Sequence, residues 1–390
     1  MSRPIYTGID IGTYHVKVVI AAPPESPDLP MSILGTGSAA SRGMRHGYIV
    51  DAKEVARSIK EAVDRASQAS KLSVKNARIA MGGISLEEMR STGDITLTSS
   101  GGVITDRDIE RTLRESEKRA MSKLVNRTII HTIPLEYRLD GQRIQGRPQG
   151  LQGTKLSIET LILSILTQHH DDLIEATEAA GIEVDGVMAS PLAASFVTLT
   201  KAQKTAGVVL ANIGSETLSI IVFDDNSPLT VKVFPIGSSD ITNAIALSFQ
   251  VPLPEAEQMK RGAVTGSDIS PKKMSLIVGE RLKEMFTLVN AHLKTVGRQK
   301  LLPAGIVITG GGSGVAQAAD VARVTLKLPA QVGLPTSIPR IGTLDATWAV
   351  AFGLCRWGFT EDHAAPLYSF GEIMRRTLES LKSSFRTLLP

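Results

Sequence analysis

Two short turns, Asp10-Ile11-Gly12-Thr13 and Asn212-Ile213-Gly214-Ser215-Glu216-Thr217, lie far apart in the chain, yet each follows an apolar run and leads into a β-branched one. A hairpin tip of this kind offers consecutive backbone N–H groups to an anion. Gly12 lets the backbone approach a phosphate closely. The Thr13 hydroxyl adds a donor, Tyr14 completes the ligand-facing turn, and Lys17 is within reach of a phosphate as a point charge. Asp10 is suited to hold magnesium through water, since that ion keeps much of its hydration shell. The second turn, running from Gly207-Val208-Val209-Leu210 into Leu218-Ser219-Ile220-Ile221, has the same build. One such turn is an ordinary hairpin signal; two suggest a pair of loops facing one nucleotide.

The elements that must carry these turns follow from composition and punctuation. With 390 residues, 42% of them hydrophobic, the chain is long enough for two lobes or several subdomains with their own cores. A net charge of +4, with dispersed basic residues and 4% aromatics, argues against nucleic-acid binding. The single cysteine, Cys355, excludes an internal disulfide and a cysteine-based zinc site, as expected in a reducing compartment, so the cytoplasm is the default. No apolar run approaches the ~20 residues needed to span a bilayer, and the N-terminal segment reads as a strand rather than a signal peptide. Any membrane contact is therefore expected to be peripheral.

After the first hairpin, Ile33 to Gly37 reads as a third strand, followed by the glycine-hinged loop Ser41-Arg42-Gly43-Met44-Arg45-His46-Gly47. Asp51 is placed to cap a helix whose apolar face is Val55, Ile59, Ala62, Val63 and Ala66. Ala77 to Gly83 reads as a buried strand, giving an α/β lobe. Residues 84–165 change character and read as an inserted α+β subdomain. Gly93 to Val103 is expected as a threonine-rich strand pair, and Thr105 is expected to cap a helix to about Ser122. A strand over Leu161 to Leu166 and a helix over Leu173 to Ala180, ending at Gly181, return the chain to the α/β pattern. The second hairpin, a strand at Thr230 to Phe234 and a helix after Gly237-Ser238-Ser239-Asp240 then repeat the first half's order, the signature of an internal duplication. Helices are expected over Val251 to Gly262, which carries Glu257 and Lys260, and over Lys272 to Val296. Finally, Ile306-Val307-Ile308-Thr309 ends in Gly310-Gly311-Gly312-Ser313, where flat backbone can lie against a ligand and Ser313 can cap the next helix.

These three glycine segments, in this order and spacing, resemble the actin-like ATPase superfamily. Ser41 to Ile49, Pro134-Leu135-Glu136-Tyr137, Ala180 to Val184, Pro191 to Ser195 and Glu257-Gln258-Met259-Lys260 resemble, within it, the FtsA family of bacterial division proteins. The resemblance implies an actin-like (ribonuclease H-like) two-lobed α/β fold with an inserted α+β subdomain, 1C, in the first lobe. It implies a first-lobe core at 1–83 and 166–203, the insertion at 84–165, a second-lobe core at 204–247, an outer subdomain at 248–303, and a second-lobe stretch returning to the first lobe at 304–359. It also implies ATP and Mg2+ as cofactors. Glu257 and Lys260 would lie beside the adenosine, with Gly237, Gly310, Gly311, Gly312 and Ser313 among the ligand-facing residues.

The family's implied role is a scaffold that polymerises on the inner membrane at the division site, tethers FtsZ filaments and recruits later division proteins. The FtsZ C-terminal peptide would dock at about 248–301, where Arg281, Lys283, Lys294 and Arg298 suit an acidic segment. Two alternatives are a PilM-like cytoplasmic scaffold of type IV pilus assembly and an actin-like ATPase or chaperone.

Departures from the superfamily's second-hairpin pattern, Asp-x-Gly-Gly-Gly-Thr-Thr-Asp, carry a mechanistic expectation. Asn212 and Ser219 replace both acids, and Ser215 and Glu216 replace two glycines. An amide cannot take a proton as a carboxylate can, so nucleotide binding without appreciable hydrolysis is expected. Glu216 should point away from the phosphates or meet the metal.

After a short linker at 360–366, residues 367–390 form the second functional feature. Phe370, Ile373, Met374, Leu378, Leu381, Phe385, Leu388 and Leu389 follow helical spacing, flanked by the cations Arg375, Arg376, Lys382 and Arg386. This pattern suits an amphipathic helix on an anionic membrane face. One such tail binds reversibly, and joined copies in a filament bind firmly through effective concentration. His169-His170-Asp171-Asp172 has metal-ligand residue types, but adjacent side chains at a strand-to-helix turn diverge, so a solvated cap is expected there instead. His131 reads as structural.

Overall fold

The computed structural model describes residues 4–24, 30–98, 102–262, 270–335 and 345–363. The chain divides into two compact units, one built from residues up to 85 together with 171–362, the other containing 86–170. The expected amphipathic helix at 367–390 lies outside the described residues.

The larger unit contains the same sheet twice. In the first sheet, β1 (Tyr6–Ile11), β2 (His15–Ala22) and β3 (Ser32–Ala40) form an antiparallel meander. Beside β1 lie two parallel strands, β4 (Asn76–Met81) and β5 (Glu183–Ala189), giving the order β3-β2-β1-β4-β5. In the second sheet, β6 (Val208–Ile213), β7 (Leu218–Asp224) and β8 (Ser227–Phe234) form the meander, with β9 (Ile306–Thr309) and β10 (Ala330–Val332) parallel beside β6, in the order β8-β7-β6-β9-β10. The duplication expected from the element order is therefore present in the pairing itself. Both central hairpins are largely apolar and buried away from their turns, as strands covered on two faces must be.

Local signals set the helices that frame these sheets. Asp51 caps α1 (Ala52–Ser70) by accepting the Lys53 and Glu54 N–H groups, each at 3.1 Å, and the helix buries Val55, Ile59, Ala62, Val63 and Ala66. Asp240 accepts the Gly237 N–H at 2.7 Å at the start of α2 (Ser238–Phe249). The next two helices are α3 (Leu253–Lys260) and α4 (Pro271–Thr295). The second core, in which Ile213, Leu218 and Ile220 meet Leu282, Met285, Phe286 and Val289, joins the second sheet to α4. The last helix among the described residues, α5 (Ala349–His363), runs into the stretch expected as linker.

The smaller unit is an antiparallel sheet with strands Glu87–Thr96, Lys155–Leu166, Arg127–Leu139 and Gln142–Ile144 in that order, covered by the helix Asp106–Met121. Thr105 caps that helix through a reciprocal bond pair with Asp108. Ile95, Ile104, Ile109, Leu113, Leu156 and Ile158 form its core.

Two expectations need correction. Of the strand pair read over 93–103, residues 93–96 end one strand whose partner is 155–166, residues 99–101 lie outside the described residues, and Val103 forms an isolated bridge to Gln152. The solvated cap at His169 and His170 is also absent. The helix starts earlier, at Thr167, and both histidines are buried in its first turn.

Candidate functional site

Hairpin geometry brings the two turns into register. Asp10 pairs with Lys17 across the first hairpin, and Asn212 pairs with Ser219 at the corresponding place in the second. Each strand pair then closes with one bond across the turn, Gly12 N–H to His15 O at 3.2 Å and Gly214 N–H to Thr217 O at 2.8 Å. Both tips open into one cavity of about 570 Å³. Asp10, Gly12, Thr13, Tyr14, Lys17, Asn212, Gly214, Ser215, Thr217, Glu257, Lys260, Gly310 and Gly311 all line it.

The remaining sequence-selected residues sit behind this lining. Glu216 turns to the rim, where its carboxylate accepts the His46 N–H. Gly237 and Gly312 pack behind the second hairpin, the latter against Ile213. Ser313 does not cap the next helix: residues 311–314 form a 3-10 turn, and its hydroxyl donates back to Gly310 O at 2.7 Å.

Electrostatics divide the cavity into two ends. At one end, burial pushes Asp10 up to about 6 despite the pull of Lys17. Burial likewise lowers Lys17, while Asp10 and Asp345 work to raise it. Lys17 donates to Thr347 O at 2.9 Å and lies 5.5 Å from the Trp348 ring centroid. At the other end, Lys260 Nζ donates to Glu257 at 2.6 Å, to Thr242 Oγ1 at 2.8 Å and to Ser238 O at 3.1 Å. Thr242 and Arg261 also donate to Glu257, at 2.6 and 2.9 Å. Burial alone would raise the Glu257 carboxyl, but these donors hold it below its ordinary value. Gly310 lies between the two ends with φ of +84°, and a Cβ there would sit 2.1 Å from Asn212 Oδ1. Only glycine allows the strand to pass so close to that amide.

The chemistry of this donor set fits a nucleotide. Backbone N–H groups, Thr13, Ser215 and Thr217 suit phosphates, and a braced carboxylate–ammonium pair suits a ribose or base. Among the described residues no group of three or more His, Cys, Asp or Glu is placed to hold a metal. A magnesium ion here would rest on Asp10 through water and on the ligand's own oxygens, in keeping with that ion's retained hydration.

Sequence reading overlooked several lining residues. Arg261 was legible, four residues after Glu257 on one helix face. Asp345, Thr347 and Trp348 carry no local signal and reach the cavity only through the packing of the chain before α5.

Comparison with known proteins gives a consistent family assignment. The model described as cell division protein FtsA matches residues 209–353, and the model for the SHS2 domain inserted in FtsA matches 83–164. Cell division protein FtsA of Borreliella burgdorferi is 29% identical, with 91% of each chain covered. That of Pseudomonas aeruginosa is 27% identical over 98% of this chain and 97% of its own. Among solved structures, a chain of the PilM-PilN type IV pilus biogenesis complex superposes with a TM-score of 0.67 at 19% identity, covering 91% of this chain and 98% of its own. MreB5 of Spiroplasma citri, solved bound to ADP, superposes with a TM-score of 0.51 at 10% identity, covering 92% and 96%.

Proposed function

The chain belongs to the FtsA family of bacterial division proteins and has their actin-like fold, and from this premise we propose that it is an ATP-binding scaffold that hydrolyses its nucleotide very slowly. The observation that carries this reading is the shared cavity, into which two matching hairpins deliver one Asp and one Asn at equivalent positions. Gly12, Thr13, Gly214, Ser215 and Thr217 would hold the phosphates, Asp10 would hold a hydrated magnesium, and Glu257 with Lys260 would face the adenosine. Bound ATP would supply the phosphate oxygens that complete the magnesium shell. Asn212 can hold a water by hydrogen bonding but cannot take its proton, which leaves the attacking water without a base on that side.

The scaffold's output is mechanical. Copies assemble into filaments, the helix expected at 367–390 anchors them to the cytoplasmic face of the inner membrane, and later division proteins join. No helix among the described residues is long and apolar enough to cross a membrane. The FtsZ C-terminal peptide meets the outer subdomain near α4. Arg281 and Arg298 already pair with Glu284 and Asp224, at 2.8 and 2.7 Å, whereas Lys283 and Lys294 are exposed. Those two lysines, three turns apart on one helix face, are the better ligands for an acidic peptide.

Two measurements test the reading. Titration with ATP and magnesium should give saturable binding, with single-turnover hydrolysis far slower than ligand exchange; rapid turnover would overturn it. Sedimentation with anionic liposomes should carry down the full chain but leave a chain ending at residue 366 in solution. A PilM-like scaffold, the alternative reading within the same fold, would show no tail-dependent sedimentation.

A further inference from the structure

The rim of the cavity carries two contacts that join the first hairpin's side to the second's. In one, the loop at 41–51 is fixed to the first half, with Ser41 N–H donating to Tyr14 O at 3.0 Å and Arg42 N–H to Ser58 Oγ on α1 at 3.2 Å, and is closed on itself by Val50 N–H to Gly43 O at 2.8 Å. The second hairpin is fixed with equal firmness to the start of α2. Ser238 and Ser239 N–H groups donate to Gly214 O and Ser215 O, at 2.9 and 2.8 Å, and the Ser215 and Ser239 hydroxyls lie 2.6 Å apart. Between these two fixed bodies stands Glu216, whose carboxylate accepts the His46 N–H and lies 3.9 Å from His46 Nδ1. The adjoining Gly47 lines the cavity wall.

The second contact joins the end of α3 to the turn of the first hairpin. Arg261, bound to Glu257, places Nη2 3.5 Å from the Tyr14 hydroxyl and its guanidinium carbon 5.9 Å from that ring's centroid. Tyr14 thus holds the 41–51 loop through its carbonyl and meets Arg261 through its side chain.

We propose that Glu216 and Arg261 are positioning residues that clasp the two sides of the cleft together and so set how fast a bound nucleotide leaves. The proposal rests on the nucleotide reading of the cavity. Release requires the hairpins to part, and parting breaks the Glu216–His46 bond and the Arg261–Tyr14 contact. Glu216 occupies a place where a glycine would leave the second hairpin with no side chain to reach the loop. A charge-assisted bond to a backbone N–H is the stronger clasp, and a partly exposed guanidinium over a ring the weaker. Glu216 lies outside the cavity lining and acts on opening, whereas Arg261 also lines the cavity and braces Glu257, so its part in the clasp is read from the dissociation rate against an unchanged association rate.

Stopped-flow displacement of a fluorescent N-methylanthraniloyl-ATP from the full chain tests this directly. Glu216→Ala should raise the dissociation rate about five- to tenfold with the association rate nearly unchanged. Glu216→Gln, which keeps an acceptor, should fall between it and the parent. Arg261→Ala should raise the rate about two- to threefold, and Tyr14→Phe, which keeps the ring, by less. Circular dichroism melts without nucleotide confirm that each variant is folded. A parent that binds no nucleotide sinks the functional reading, and the clasp with it. A parent that binds, with Glu216→Ala releasing at the parental rate, overturns the clasp alone, as does an equal fall in association rate, which would mark a damaged site.

Discussion

The two hairpins share six-residue first strands, matching register and the same bond across the turn, yet only the first keeps a carboxylate at its inner position. Asp10 is half-buried opposite a lysine; Asn212 lies opposite a serine, with Gly310 pressed against its amide. On the proposed reading, the duplicated backbone keeps main-chain N–H groups for phosphate in both halves, while the side chains that hydrolysis would need differ between them. A polypeptide can lose a reaction without losing the ligand, because the two depend on different atoms.

Restoring the missing acid breaks this asymmetry most sharply. Asn212→Asp should raise single-turnover hydrolysis about a hundredfold, within the usual range for a positioned base. An unchanged rate would mean that the second hairpin never faced the attacking water.

Next in size are the glycines beyond the parallel strands. Gly310→Ala forces a side chain into a positive φ and onto Asn212, so nucleotide affinity measured by titration should fall about ten- to a hundredfold. Gly82→Ala, at the corresponding edge of the first sheet, meets only the Ser190 hydroxyl at 2.7 Å, which can rotate, and should weaken binding far less. Equal losses would show that the two halves are more alike than their packing implies.

Asp10→Asn makes the hairpins match by subtraction. The parent's nucleotide affinity should rise about tenfold with magnesium, and in the variant that dependence should disappear while metal-free affinity stays within about twofold. Retained dependence would place the ion elsewhere.

The outer ends of the hairpins give the smallest effect. Behind the first, Cys355 Sγ lies 3.4 and 3.3 Å from Tyr6 O and Val19 O, and burial pushes its thiol up to about 12, leaving it inert. Behind the second, Lys204 lies 4.6 and 5.4 Å from the Phe223 and Phe196 ring centroids, and burial lowers it to about 8. A lysine lowered by folding penalises the native state fully below pH ~8, and the penalty vanishes as pH rises towards its ordinary value near 10.5. Part of it is offset by the ring contacts. Lys204→Met should therefore gain about 1 kcal/mol in denaturant unfolding at pH 7, with the gain disappearing near pH 10.5.

Much of this architecture could be read in the chain. Gly12 and Gly214 between β-branched runs marked both hairpins, Asp51 and Thr105 marked helix starts, and the spacing of Val55, Ile59, Ala62, Val63 and Ala66 gave the buried face of α1. Each signal acts over a few residues, where backbone preference and side-chain periodicity decide the outcome. What escaped was set at long range. Ser313 faces Gly310 because a 3-10 turn intervenes before the next helix, and His169 and His170 are buried because their helix starts six residues earlier than its apolar pattern suggested.

By itself, the sequence determined that there are two phosphate-type turns and that only one carries an acid, since residue identity and local turn chemistry suffice for both. Tertiary structure alone decided that the turns open into one cavity, that Glu216 faces His46 rather than the cavity, and that Lys17 spans to Thr347. Those outcomes depend on where segments hundreds of residues apart come to rest, and no local preference encodes that distance.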